Sequence, residues 1–118
     1  MANDIFTFVE EEKEYTIVMF SGLTNKIIKD IGGIQNLDMV VVDAEAQDKI
    51  VKTLLTSYDE QGKEQGVIFS PFRLSNQNRA NLINWGYEHI TDFLLETAQQ
   101  TTKQNEKVKK ILEALKAG

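Results

Sequence analysis

Apolar residues recur at helical spacing through the last third of the chain, at Leu82, Ile83, Tyr87, Ile90, Phe93, Leu94 and Ala98. After a polar stretch they return at Val108, Ile111, Leu112 and Leu115. The spacing predicts a helix over 76–115, capped by Ser75 and free of proline, with Gly86 as its only internal glycine. A continuous helix of roughly 40 residues would be about 60 Å long. A compact domain of this size has a radius of gyration of about 13–14 Å. Such a helix breaks, projects into solvent, or buries its end on another molecule, which points to assembly.

The start of the chain has a different period. Ile5–Val9 is β-branched and aromatic, and Glu14–Phe20 alternates, with Tyr15, Ile17 and Met19 on one face and Thr16, Val18 and Phe20 on the other. Joined by Glu10-Glu11-Glu12-Lys13, the two runs predict a β-hairpin whose second strand is apolar enough to be covered on both faces. The acidic connector reads as a solvated loop, because carboxylates adjacent in sequence splay apart. Leu23, Ile27, Ile28 and Ile31 then predict a short helix over 22–31, with Thr24 or Ser21 placed to cap it and Gly32-Gly33 to end it. This glycine pair follows a helix, and no Gly-Lys-Ser/Thr comes after it, so it is not a phosphate loop.

Leu37–Val42, with its Met39-Val40-Val41-Val42 run, predicts a buried strand. Asp43 is placed to cap a helix over 44–58 whose seam is Ile50, Val51, Leu54, Leu55 and Tyr58. Asp43, Glu45 and Asp48 suit the positive end of that helix better than they suit a metal. Asp59–Gly66 reads as a mobile polar loop, Val67–Phe69 as a short strand, and Pro71 as a stop to any helix there. The fold class is therefore α+β: an N-terminal hairpin in a small, mainly antiparallel sheet packed by helices, with a long C-terminal helix. Residues 1–98 form the expected domain. Residues 99–118 form a helical basic tail that extends the last helix or serves as an oligomerisation arm.

Composition narrows the function classes. The chain has 118 residues, 42% of them hydrophobic and 26% charged, and no cysteine, which excludes disulfides and thiolate metal sites. No apolar run approaches a membrane span, and the N-terminus lacks the basic and apolar regions of a secretory signal, so a cytoplasmic protein is expected. Charge is uneven: the tail beyond Thr102 holds five lysines and two glutamates, while the whole chain carries −5. The acidic body would repel nucleic acid, whereas the opposite signs of tail and body suit contact between copies.

Little in the sequence argues for catalysis. His89 is the sole histidine, and Asp92 at i+3 is placed to orient it, but no nucleophile motif accompanies the pair. Trp85, Tyr87 and Phe93 read as core or interface anchors before they read as a ligand cage. No cofactor, metal site or enzyme activity is expected.

Two stretches carry a family resemblance. Glu14-Tyr15-Thr16-Ile17-Val18-Met19-Phe20, followed by the helix to Gly33, resembles the early strand and first helix of the tail assembly chaperones of long-tailed bacteriophages, particularly those of Gram-positive hosts. Ile83-Asn84-Trp85-Gly86-Tyr87-Glu88-His89-Ile90-Thr91-Asp92-Phe93-Leu94 resembles their C-terminal helix with its Trp-x-x-x-His-x-x-Asp-Phe pattern. The resemblance covers most of residues 1–100. It implies a chaperone that holds the tape-measure protein soluble in the bacterial host cytoplasm until tube subunits assemble around it, and that is absent from the mature virion. It also implies that a longer frameshifted form is common among such proteins. From the residues themselves, self-association is expected, and the expected partner or oligomer interface is Trp85, Tyr87, Phe93 and Leu94, with Val108, Ile111 and Leu112 as a second patch. Two other readings stay open: a tail or connector component retained in the virion, and a small regulatory adaptor.

Overall fold

The computed structural model describes residues 3–117, with side chains at 3–33 and 35–96. It is α+β, but the strands form two separate hairpins rather than one sheet. Strand β1 (Ile5–Glu10) pairs antiparallel with β2 (Lys13–Val18) in an unbroken register from Ile5↔Val18 to Glu10↔Lys13. Only Glu11 and Glu12 make the turn, both at positive φ (51° and 68°), as a two-residue hairpin turn of the type usually built from Asn-Gly demands. β3 (Thr56–Tyr58) pairs with β4 (Glu64–Val67) over three positions, with an irregularity between Ser57 and Tyr58.

The alternating pattern of β2 resolves to one covered face. Ile17 and Met19 are buried and Tyr15 is half-buried, while Thr16, Val18 and Phe20 are exposed. The expectation of cover on both faces fails because the helices pack against one side of the hairpin only. Helix α1 (Ser21–Asp30) buries Leu23, Thr24 and Ile27. Neither Ser21 nor Thr24 caps it: the cap position falls to Phe20, and the Thr24 hydroxyl donates back to the Phe20 carbonyl at 3.3 Å. Its other end closes as expected, with Gly32 N–H donating to Lys29 O and Gly33 N–H to Ile28 O, both glycines at positive φ.

Met39–Val42, expected as a strand, is a single helical turn, α2. β-propensity yields here because only Val40 finds the core, and the turn's open carbonyls are met by Gln47, whose amide donates to Val40 O at 2.9 Å. Helix α3 (Ala44–Leu54) starts on Asp43, whose carboxylate accepts from Glu45 N–H. Ile50, Val51, Leu54 and Leu55 are fully buried, as their spacing requires. The helix stops four residues short of Tyr58 because the chain turns extended to form β3, with Ile68 N–H donating to Leu55 O. In the following loop the Asp59 carboxylate accepts from the Gln61 and Lys63 N–H groups and from the Gln65 amide. The strand expected at Val67–Phe69 lies earlier, at Glu64–Val67, and only Val67 is common to both.

Helix α4 (Asn76–Ala117) runs for 42 residues, and its backbone stays helical through the polar 98–108 window. The Ser75 hydroxyl accepts from Asn78 N–H at its start. Gly86 allows α3 to approach closely: a Cβ there would sit 3.0 Å from Leu54 Cδ1 and 3.4 Å from Ile50 Cγ2. Because α4 continues past the body, the chain has a radius of gyration of 18.3 Å and extents of 70 × 32 × 23 Å.

Candidate functional site

Helix α4 has two working sides inside the body. Asn78, Leu82, Trp85 and His89 recur every three or four residues and so share one side, which faces the β1–β2 hairpin and α1. There Trp85 is buried, its ring 5.3 Å from that of Phe6 and 5.0 Å edge-on from that of His89. Trp85 Nε1–H and His89 Nε2–H both donate to the Asn3 carbonyl, at 2.5 and 2.7 Å. Asn78 donates to the Val9 carbonyl and to the Glu10 carboxylate. The acidic turn is thus partly engaged: Glu10 also accepts from Ser75 N–H at 2.7 Å, and Glu11 pairs with Arg73. Bonds from the Ser75 hydroxyl, then from the Ser75 N–H and Asn78, hold the Glu10 carboxyl below its ordinary 4.5. In sequence these acids look solvated, because the segment that meets them lies more than 60 residues away.

Beside His89 lies an open depression that also takes in Ser21, Thr24, Asp92 and Phe93. These are residue types of a hydrolytic site, brought together by the fold from two distant segments. Within it the His89 Nε2–H is given to the Asn3 carbonyl and the Thr24 hydroxyl to the Phe20 carbonyl. Among the described residues, no three histidine or carboxylate side chains converge as a metal site would require. No described helix is long and apolar enough to cross a membrane.

The other side of α4 carries Asn76, Ala80, Ile83 and Tyr87, which with Val40, Val41 and Gln47 line a groove of about 450 Å³. A second groove of about 600 Å³ adjoins it across Asn76 and Arg79 and is walled by Val67, Phe72 and Leu74. The Arg79–Asp48 pair (2.5 Å) stands close by. Of the groove residues, Val41 and Val67 are exposed, and Phe72, on the tight turn Pro71–Arg73, is 98% exposed; Met39 and Val42, beside Val41 in the chain, are exposed too. Isolated exposed apolar residues are ordinary, but here several stand close to two adjoining grooves, which makes this face the candidate binding surface.

The interface residues expected from sequence divide accordingly. Tyr87 lines the first groove, Leu94 is half-buried against the core, and Phe93 lies in the depression beside His89. Trp85 is inside, tying the N-terminal segment to α4. Val108, Ile111 and Leu112 lie outside the residues whose side chains are described. Sequence reasoning missed Val41, Val42, Val67 and Phe72, which resemble core residues in composition. The one available signal was the proline beside Phe72, which fixes a turn there. No protein family, curated protein or solved structure matches the chain.

Proposed function

We propose that this chain is a non-catalytic binding protein of the tail-assembly-chaperone kind, holding a phage tape-measure protein soluble in the bacterial cytoplasm during tail morphogenesis. The observation that carries the binding class is the second groove with Phe72 and Val67 at its wall: apolar surface presented on short, hydrogen-bonded elements of an acidic body. A holding protein has to expose such surface without precipitating, and net negative charge opposes aggregation. The resemblance of Glu14–Phe20 and Ile83–Leu94 names the client. Within the second stretch, Trp85 and His89 serve the fold, so the likeness bears on architecture more than on the client-binding surface.

Co-expression with the tape-measure protein of the same phage tests this reading. The client should be soluble and co-purify with the intact chain, and Phe72→Asp should release it while the melting temperature holds. Precipitation of the client despite the intact chain would refute the chaperone reading. Recovery of the chain from purified virions by mass spectrometry would point instead to a structural tail component.

A further inference from the structure

The first groove has an apolar floor, and acidic residues stand next to its lining residues along the chain. Val40, Val41, Ala80, Ile83 and Tyr87 line it. Asp38 and Asp43 flank α2, Glu45 lies in the first turn of α3, and Glu88 stands one turn along α4 from the lining residue Asn84. Of the cations here, Lys49 pairs with Glu45 at 3.9 Å and the lining residue Arg79 pairs with Asp48, which leaves Asp38, Asp43 and Glu88 to set the sign of the surroundings. The chemistry suits a basic amphipathic helix, which would bury an apolar stripe and set positive charge against the rim.

The chain itself contains such a segment. Val108, Ile111, Leu112 and Leu115 fall at i, i+3, i+4 and i+7, the spacing of helix-in-groove anchors. Lys103, Lys107, Lys109, Lys110 and Lys116 surround them, against Glu106 and Glu113. The segment cannot occupy its own groove, because α4 continues without a break from Ile83 to Ala117 and Val108 lies about 37 Å farther along the same axis. The groove residues Ala80 and Tyr87 also belong to one seven-residue series with Leu94, Val108 and Leu115, interrupted only by Thr101. A seven-residue apolar repeat is the signature of a helix that pairs along its length.

We propose that the groove between α2 and α4 receives the C-terminal segment of a second copy, through antiparallel pairing of two α4 helices about a two-fold axis. Each acidic groove then meets a basic tail, twice in one closed dimer. Ala80 lies opposite Leu115 of the other copy, and Tyr87 opposite Val108. The second groove, with Phe72, remains open for a client. This inference does not depend on the client's identity.

The absence of native cysteine makes the test clean. Full-length Ala80→Cys and Leu115→Cys chains of different mass are mixed and mildly oxidised, while light scattering follows the unmodified protein. A dimer with a mixed disulfide, formed far faster than in either variant alone and slowed by raised salt, is the expected result. Ala80→Arg in the full chain should raise the dimer dissociation constant at least tenfold with an unchanged circular dichroism spectrum, since Ala80 is exposed. A monomer at 100-fold the working concentration would overturn the proposal, as would an Ala80→Arg protein that still dimerises normally. Disulfides confined to like-with-like pairs would overturn the antiparallel register.

Discussion

The two hairpins of this protein are built on opposite terms. β1–β2 pairs over six positions and is welded to the body by aromatic contact: Phe8 lies 5.3 Å from Tyr15 and 6.2 Å from Phe69, and Phe6 lies against Trp85. β3–β4 pairs over three positions, all four residues of β4 are exposed, and the nearby Phe72 stands in solvent. Apolar side chains occur in both, so composition does not separate them. What separates them is whether α4 passes beneath. One hairpin stores stability, and the other, held mainly by its own backbone and the Asp59 turn, can present surface without putting the fold at risk.

Substitutions should reveal this asymmetry in order of size. Phe8→Ala removes a buried ring shared by both strands and α4's neighbours, and should cost about 3–5 kcal/mol in chemical denaturation. Gly86→Val pushes a side chain into Leu54 and Ile50 and should cost about 1–3 kcal/mol, read the same way. Glu12→Gly should work in the other direction and stabilise by about 1 kcal/mol, because it relieves a left-handed backbone at a residue with a Cβ. If it destabilises, the turn is held by more than its backbone.

The Glu10 clasp predicts a pH dependence. Its carboxyl is held below 4.5 in the folded state, so its contribution to stability is complete above that value and is lost as pH falls through the lowered one. Thermal melts from pH 7 to 3 should show the wild type losing its advantage over Glu10→Gln only below about pH 4.5. The smallest effect on stability belongs to Phe72→Ala, expected within about 0.5 kcal/mol of wild type. Its effect on client capture should be the largest of the set. A large loss of stability on Phe72→Ala would erase the distinction between the two hairpins.

Where one face of an element is buried, the sequence announced it. The first hairpin, the glycine stop after α1, the Asp43 cap and the Ile50–Leu55 seam all follow from period and capping chemistry, which act within a few residues. Met39–Val42 went the other way because its valines are mostly exposed, and a side chain seven residues from Val40, Gln47, satisfies the turn. The candidate binding face was illegible for the same reason. Val41, Val42, Val67 and Phe72 differ from core residues only in what lies beyond them, a property of the assembled surface rather than of spacing. Tyr87 was found because it shares a stripe with Ile83, which the long helix displays openly.

The bonds between the N-terminal segment and α4 span 68 to 86 residues of chain, and this sets a schedule for synthesis. The first hairpin emerges early, with Phe6, Phe8, Tyr15 and Ile17 aligned along one face, while the helix that covers them has yet to be made. At about 5–20 residues per second, the ribosome needs on the order of 3–13 s to supply Trp85. During that interval a nascent protein proposed to shelter another chain is itself in need of shelter.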